Sequence, residues 1–239
     1  MKSRFWRRFL AVFFPERCHF CGTVIKPEAE LCEQCRTQEK RLRICPPICP
    51  LCGREKRACH CQKHRRMFER SVSVYTYEGA AKRGVLRFKA MPTALDAAFY
   101  AAEMAQVISR EYAGERFDGI IPVPMSSRQK RQHAQNPTWQ LAKALSVQLS
   151  VPLLDVLVKI YDTRPQKELR WRERQGNLLG VFDVKSTAAP EGGRYLLVDD
   201  VVTSGATLNE CAKMLKIYGA EQVMAVTIAA SPLHDETKR

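Results

Sequence analysis

Two spacings of hydrophobic residues divide most of this chain into alternating strands and helices. Short apolar runs rich in β-branched residues predict strands at residues 71–77, 119–124, 153–158, 181–184, 195–198 and 222–229. Apolar residues at helical spacing predict helices at 80–89, 95–112, 138–149 and 208–218, the third of them capped by Thr138. Strands that alternate with helices favour a parallel sheet with helices on both faces. The predicted fold class is therefore α/β, with functional loops at the carboxyl ends of the strands.

The hydrophobic pattern changes near residue 70, and this change divides the chain into three predicted parts. Residues 71–239 hold the α/β domain, residues 17–70 form a small cysteine-rich segment, and residues 1–16 contain an amphipathic helix. That helix is indicated by Phe5, Phe9 and Phe13, which recur every four residues with arginines among them. It packs against the body of the protein or, alternatively, lies on a membrane surface or a partner protein.

Cysteine spacing in the small segment predicts two metal sites. A Cys-x-x-Cys turn presents two thiolates to one tetrahedral ion, so two such turns predict a zinc ribbon. A second, less regular set ends in a Cys-x-Cys pair, where His60 or His64 is an alternative ligand. The expected ligands are Cys18, Cys21, Cys32 and Cys35 in the first cluster and Cys49, Cys52, Cys59 and Cys61 in the second cluster. Four protein ligands leave no open position, so both zinc ions are expected to be structural.

Disulfide bonds are the competing explanation for nine cysteines between residues 18 and 61. The basic N-terminus resembles a secretory signal, but its unbroken apolar run covers only residues 9–14 and no small-residue cleavage site follows. A cytoplasmic location is therefore expected, and in that reducing compartment clustered cysteines favour metal. No run of 18 apolar residues occurs, so no membrane span is expected. Cys45 has no assigned role, and Cys211 is expected to be a small buried residue rather than a nucleophile.

Positive charge is concentrated in the same front segment. The formal net charge is +14; residues 1–70 contain 17 Lys and Arg against 7 Asp and Glu, whereas residues 71–239 contain 22 against 18. Each four-thiolate zinc site adds about −2, which still leaves the front of the chain basic. This excess favours a polyanionic partner such as a nucleic acid, and the alternative is a solvated basic surface.

One stretch of the α/β domain carries the pattern of an anion site. The apolar strand at 195–198 leads through a tight loop into the helix at 208–218, and the amides at such a helix start bind phosphate. Asp199 and Asp200, here called the acid pair, stand at the expected strand end, where two carboxylates suit ribose hydroxyls or a Mg²⁺ ion. The phosphate loop that follows consists of Thr203, Ser204, Gly205, Ala206 and Thr207. The alternative is a strand followed by a threonine-capped surface helix.

The segment from Val198 to Thr207 resembles the PRPP-binding motif of type I phosphoribosyltransferases. In that family the two acids contact the ribose 2′ and 3′ hydroxyls, and the Thr-Ser-Gly-x-Thr loop holds the 5′-phosphate. The resemblance therefore implies that the acid pair forms the catalytic centre and that the phosphate loop binds PRPP, with Mg²⁺ as its companion. The motif identifies the phosphoribosyl donor and says almost nothing about the acceptor.

The order of parts along nearly the whole chain is similar to that of the ComF (ComFC) family, phosphoribosyltransferase-like proteins associated with DNA uptake in natural competence. The similar features are the cysteine-rich segment, Tyr77-Glu-Gly79, Lys89, Pro122-Val-Pro124, the flap residues Thr163, Gln166, Arg174 and Asn177, and the acid pair with its loop. After the basic loop the family pattern is lost except for Asn136. The resemblance implies that the chain binds PRPP, single-stranded DNA and proteins of the competence machinery.

Two further segments are expected to face the same ligand. Lys89 and Arg128 are the expected partners of pyrophosphate, although the basic loop at 126–131 is alternatively a solvated surface. Residues 161–177 are polar and rich in arginine, as a mobile active-site flap would be. Trp171 within them either stacks on a base or anchors the segment by packing.

Three functions follow from these patterns. The favoured one is a competence factor that binds PRPP and single-stranded DNA. A nucleobase phosphoribosyltransferase of nucleotide salvage is the first alternative, disfavoured because little chain follows the last strand to build a hood over a base. The second alternative is a zinc-ribbon nucleic-acid binder whose phosphoribosyltransferase fold is only a scaffold.

Overall fold

The computed structural model describes residues 15–59, 61, 66–125, 136–160, 181–185 and 191–232. Its helices are α1 (Glu33–Leu42), α2 (Gly79–Ala90), α3 (Ala94–Glu111), α4 (Pro137–Leu149) and α5 (Ala206–Ile217). Its strands are β1 (Arg70–Thr76), β2 (Gly119–Pro122), β3 (Leu157–Lys159), β4 (Phe182–Val184), β5 (Arg194–Val202) and β6 (Gln222–Ala230). The amphipathic helix predicted at the N-terminus lies outside the described residues.

The main sheet has the strand order β1-β6-β5-β2, and all of its neighbouring strands are parallel. Leu196 and Val198 of β5 enter one hydrophobic core, whereas Tyr195 and Leu197 enter the core on the opposite face. Because residues 195–198 of β5 are buried on both faces, this part of the strand is apolar without alternation. Helices α2, α3 and α4 cover the first face and α5 covers the second. The predicted α/β class with helices on both faces is confirmed.

Two of the predicted strands do not join this sheet. β3 and β4 pair antiparallel with each other as a separate two-stranded unit. Before β3, the chain runs beside β2 through one parallel bridge from Leu153 to Ile120, which two backbone hydrogen bonds of Ile120 accompany. The prediction of parallel pairing for these segments was wrong because a parallel neighbour needs a crossover helix, which an antiparallel pair does not need.

Helix α4 begins one residue before the predicted cap. Its N-cap is Asn136, whose side-chain oxygen accepts a hydrogen bond from the Trp139 amide at 3.2 Å. Pro137 then occupies the first turn, where its fixed φ and missing N–H cost nothing. Thr138 is therefore a buried helical residue and not the cap.

The cysteine-rich segment packs directly on the α/β domain. Cys18, Phe20, Leu31 and Cys35 belong to the same hydrophobic core as α2 and α3. The Phe20 ring is fully buried, and burying an aromatic ring of this size contributes about 2–3 kcal/mol.

Two backbone bridges from the same segment reach the edge of the sheet. Gly53 pairs with Val72, and Arg43 pairs with Tyr75. Both partners lie on β1, whose other side pairs with β6. The outer edge of β1 is therefore covered by the cysteine-rich segment.

Candidate functional site

The acid pair lies inside β5 rather than after it. The strand continues to Val202, so the predicted strand end at Val198 was four residues too early. Asp199 is paired with Thr227 of the neighbouring β6, and this ladder carries the strand past the acidic residues. Since successive residues of a strand point to opposite faces, the two carboxylates leave the backbone in different directions.

Lys89 reaches the acid pair from the last turn of α2. Its Nζ lies 2.8 Å from Asp200 Oδ1, and the Asp200 side chain is only 14% exposed. Burial opposes the charge on Lys89, but the Asp200 carboxylate outweighs it and raises the pKa of the ammonium. The sequence analysis predicted Lys89 as a pyrophosphate ligand, and this role stays a prediction; in the structure its ammonium contacts the Asp200 carboxylate.

Asp199 has an unusual protonation equilibrium. Burial, reinforced by the neighbouring charge of Asp200, raises the pKa of Asp199 to about 7, although Lys89 partly opposes the rise. Asp199 Oδ1 also accepts a hydrogen bond from the Asp200 amide at 2.8 Å. A carboxyl that titrates near neutral pH can gain or lose its proton when a cation or a hydroxyl donor arrives.

The phosphate loop joins the end of β5 to the start of α5. Gly205 has a φ of 75°, a left-handed conformation that residues with a side chain adopt at a cost. Ser204 Oγ accepts a hydrogen bond from the Ala206 amide at 3.3 Å and closes the turn. Within the described residues, the amides of Ser204 and Gly205 have no hydrogen-bond acceptor. Two unpaired donors at a helix N-terminus form an anion site.

Two arginines that the sequence did not single out lie behind the phosphate loop. Arg54 donates to the Thr203 carbonyl at 2.6 Å, and Arg66 donates to the Ser204 carbonyl at 2.9 Å. Neither arginine belongs to a repeating sequence pattern. Their contacts with the phosphate loop are therefore visible only in the folded structure. Arg54 is 5% exposed, and no carboxylate of the described residues lies within ion-pair distance of it.

Several predicted ligand contacts fall outside the described part of the chain. Arg128 of the basic loop is one of them. The flap residues Thr163, Gln166, Arg174 and Asn177 are also outside it, as are Trp171, His60 and His64. Their assigned roles stay predictions.

The cysteines gather into the two predicted sets of four. In both the first cluster and the second cluster, the four Sγ atoms lie within 4.8 Å of one another. The distance from Cys21 Sγ to Cys32 Sγ is 3.7 Å, and Cys52 Sγ lies 3.7 Å from Cys59 Sγ. A tetrahedral ion with Zn–S bonds of about 2.3 Å separates its ligands by about 3.8 Å, whereas a disulfide needs about 2.05 Å. The donor sets therefore fit zinc, and all ten cysteines are free thiols.

Neighbouring groups favour the thiolate form of some of these cysteines. A hydrogen bond from Cys61, together with the charge of Arg54, lowers the pKa of Cys52 to about 4. Burial instead raises the pKa of Cys211, a residue of α5 that points into the core, which is consistent with a packing role. Cys45 is exposed and belongs to neither cluster.

A polar network fastens the first cluster to α2 and α3. His19, next to Cys18, contacts Asp96 Oδ1 at 2.7 Å and stacks on the Phe99 ring at 4.4 Å between centroids. Arg87 binds the same Asp96 oxygen at 2.5 Å and also donates to the His19 carbonyl at 3.2 Å. The first cluster is thus attached to α2 and α3, whereas the second cluster is attached to the phosphate loop through Arg54.

Two family models match this chain, one over the α/β domain and one over the cysteine-rich segment. A family model for the phosphoribosyl transferase domain matches residues 98–238, which include the acid pair and the phosphate loop. The chain belongs to the phosphoribosyltransferase domain family. A model for the double zinc ribbon domain matches residues 9–67, which include both cysteine clusters.

Curated relatives match most of the length of this chain. The chain is 29% identical to "Competence protein ComFC" of Bacillus subtilis over 87% of each chain. It is 29% identical to "Competence protein F" of Haemophilus influenzae over 91% of this chain and 98% of the relative. It is also 28% identical to "DNA utilization protein YhgH" of Salmonella typhimurium over 86% of each chain. The predicted membership of the ComF/ComFC family is confirmed.

The helices also bear on membrane insertion. None of the helices in the described ranges combines the length and the apolar character that crossing a bilayer requires.

Proposed function

We propose that this protein binds PRPP with Mg²⁺ at the acid pair and the phosphate loop, and that it binds single-stranded DNA during DNA uptake in natural competence. The observation that carries the proposal is the arrangement at the carboxyl end of β5. There, two half-buried carboxylates are followed, after three residues, by the two unpaired amides of Ser204 and Gly205 just before α5. A ribose 5-phosphate presents hydroxyl donors and a phosphate acceptor on one sugar, which suits carboxylates close in sequence to free amide donors.

Each group has a distinct task in this proposal. The acid pair accepts hydrogen bonds from the ribose 2′ and 3′ hydroxyls, and the amides of Ser204 and Gly205 donate to the 5′-phosphate. Oxygen donors of the acid pair also fit Mg²⁺, which, when bound, supplies positive charge to the pyrophosphate. In this proposal Lys89, whose Nζ lies 2.8 Å from Asp200 Oδ1, exchanges that bond for a pyrophosphate oxygen.

The same groups could support transfer of the phosphoribosyl unit. Loss of pyrophosphate gives the ribose ring oxocarbenium character, which nearby carboxylates stabilise. Lys89 and, by resemblance, Arg128 stabilise the negative charge of the departing pyrophosphate. The proposal assigns no acceptor and no protein nucleophile.

The DNA part of the proposal rests on charge and on family. The front segment is basic even with two zinc ions, and the described relatives are named for competence or for DNA utilization. A cytoplasmic location belongs to the proposal because thiolate metal sites need a reducing compartment.

The first experiment measures PRPP binding by calorimetry in the presence of Mg²⁺. The wild type is expected to bind, and the Asp199→Ala/Asp200→Ala variant is expected to lose binding while its circular dichroism stays unchanged. Unchanged affinity in that variant would refute the assignment of the acid pair.

The second experiment measures the fluorescence anisotropy of a labelled single-stranded oligonucleotide. The variant Lys40→Glu/Lys56→Glu changes two exposed residues of the front segment, and Lys82→Glu on α2 is the matched control. We expect weaker binding and a smaller salt dependence only in the front-segment variant. DNA binding that is indifferent to PRPP and to the acid pair would favour a nucleic-acid binder with a phosphoribosyltransferase scaffold.

A nucleobase phosphoribosyltransferase remains the second candidate, and one observation favours it. A cleft of about 240 Å³ opens beside the end of β2, lined by Pro124, Asn136, Trp139, Leu157 and Lys185 among others. An aromatic ring next to amide and ammonium groups suits a planar base. Release of pyrophosphate from PRPP upon addition of adenine, guanine, hypoxanthine, uracil or orotate would establish this candidate.

A further inference from the structure

One buried side chain, that of Arg54, connects the second cluster to the backbone carbonyls of the phosphate loop. Arg54 follows Cys52 by two residues, and its guanidinium makes two short hydrogen bonds. Nε donates to the Ser231 carbonyl at 2.6 Å and Nη2 donates to the Thr203 carbonyl at 2.6 Å. Arg54 therefore joins the residues that follow two neighbouring strands, β5 and β6, at the carboxyl end of the sheet.

A second contact continues this attachment along the loop. Arg66 donates to the Ser204 carbonyl at 2.9 Å, and the Met67 amide donates to Asn209 Oδ1 at 2.9 Å. Asn209 lies in the first turn of α5. The segment that leaves the second cluster thus contacts the phosphate loop and the helix behind it.

These contacts determine where the loop amides point. In a trans peptide the C=O and the N–H point to opposite sides. Because the Thr203 carbonyl faces Arg54, the Ser204 amide faces away from it. Because the Ser204 carbonyl faces Arg66, the Gly205 amide also faces away. The two arginines hold the pair of unpaired donors toward the side where a phosphate would bind.

The position of Arg54 depends in turn on the cysteine turn that carries it. The Cys49 amide donates to the Arg54 carbonyl at 2.8 Å, and the Gly53 amide donates to the Cys49 carbonyl at 2.9 Å. Gly53 lies so close to β1 that an added Cβ would stand 2.9 Å from Ser73 Oγ and 3.1 Å from the Val72 carbonyl carbon. The four thiolates and this tight backbone contact fix the turn, and the turn fixes Arg54.

We propose that Arg54 is a positioning residue through which metal in the second cluster organises the phosphate loop. Metal binding at the second cluster and phosphate binding at the loop are then energetically coupled. The choice of PRPP as the phosphate ligand rests on the proposed function. The link between the second cluster and the phosphate loop is independent of the proposed function.

Coupling of this kind is reciprocal. If metal in the second cluster raises the affinity for PRPP, bound PRPP raises the affinity of that cluster for zinc by the same factor. The first cluster is attached through Arg87 and His19 instead, and its affinity for zinc is expected not to change. The zinc affinity of the first cluster therefore serves as an internal control for that of the second cluster.

The experiment compares the full-length wild type with Arg54→Met, Arg54→Lys and the control Arg87→Met. Arg87 is an equivalent arginine that holds the first cluster, so its loss tests for general destabilisation. Zinc content is measured by elemental analysis, zinc affinity by competition with a chelator, and PRPP affinity by calorimetry. Hydrogen exchange of the peptide covering 203–209 reports on the loop without any ligand.

We expect Arg54→Met to retain two zinc ions, to weaken PRPP binding about tenfold and to speed exchange of the loop amides. In the wild type, saturating PRPP should raise the zinc affinity of the second cluster by a similar factor, and Arg54→Met should abolish this gain. Arg54→Lys should recover part of the loop protection because it restores one charged donor.

Other outcomes separate this inference from the proposed function. Normal loop exchange and normal PRPP affinity in zinc-loaded Arg54→Met would overturn the inference, as would equal effects in Arg87→Met. Loss of the second zinc ion from Arg54→Met would also overturn it, because Arg54 would then act within the metal centre. A wild type that binds no PRPP would refute the proposed function, and loop exchange would still decide the role of Arg54.

Discussion

Lys89 Nζ lies 2.8 Å from Asp200 Oδ1, so a helix on one face of the sheet neutralises a carboxylate within β5, one of its two central strands. The contact joins α2, which follows the edge strand β1, to β5. It balances part of the charge of the acid pair, and any cation or hydroxyl that binds Asp200 must compete with it.

Replacing Lys89 by Met should raise the pKa of Asp199 further and weaken PRPP binding. The charge of Lys89 lowers the pKa of Asp199, so its loss leaves only the hydrogen bond from the Asp200 amide to oppose burial and the Asp200 charge. Carboxyl titration by NMR with ¹³C-labelled aspartate measures the first effect, and calorimetry measures the second. Lys82→Met on the exposed side of α2 is the control, and an unchanged titration of Asp199 would contradict the prediction.

Asp199 should make the stability of the protein depend on pH. The folded chain holds the Asp199 proton with a pKa of about 7, against about 3.9 for an unfolded aspartate. The free energy of unfolding should therefore contain a contribution that is complete below pH 4 and is lost as the pH rises to 7.

The variant Asp199→Asn tests this pH dependence. It should be more stable than the wild type at pH 8 by on the order of 2 kcal/mol and should show little difference at pH 4. Urea denaturation at both pH values measures this difference. The exposed Glu191→Gln variant is the control, and an equal gain at both pH values would contradict a titration effect.

Zinc stoichiometry should separate the clusters from the remaining cysteines. Cys52→Ser should retain one zinc ion per chain instead of two, because three thiolates hold a structural ion poorly. Cys45→Ser should retain both, since Cys45 belongs to neither cluster. Native mass spectrometry counts the ions, and loss of zinc from Cys45→Ser would contradict the assignment.

Gly84→Ala should destabilise the fold although alanine favours helices. An added Cβ would stand 2.5 Å from Tyr100 Oη and 2.7 Å from Phe20 Cδ1, so the Tyr100 and Phe20 side chains must move. Overpacking of this kind costs about 1–3 kcal/mol, which exceeds the gain of about 1 kcal/mol from helix propensity. Thermal melting measures the change. Arg83→Ala at the preceding exposed position should be nearly neutral, and a stabilised Gly84→Ala would show that Phe20 yields easily.

The sequence predicted the elements with strong local patterns. The apolar runs of β5 and β6, the helical spacing of α3 and the cysteine pairs depend on neighbouring residues, and the structure contains all of them. The acid pair and the phosphate loop were found in the same way, because their residues are consecutive.

Contacts between distant residues could not be predicted in this way. The extension of β5 through Asp199 depends on its pairing with Thr227, and polar residues gave no strand signal. The partners of Lys89 and Arg54 come from segments more than 100 residues away, at Asp200 and Thr203. Such contacts follow from topology, which a single sequence does not encode locally.

The covered edge of β1 has a consequence for the metal-depleted protein. Gly53 and Arg43 occupy backbone positions that an unprotected edge strand would offer to another chain. Five of the seven residues of β1 are buried, so the uncovered edge would be apolar as well as unpaired. Loss of zinc would then expose a surface on which copies of the protein can add to one another, and the metal would serve as a safeguard against aggregation.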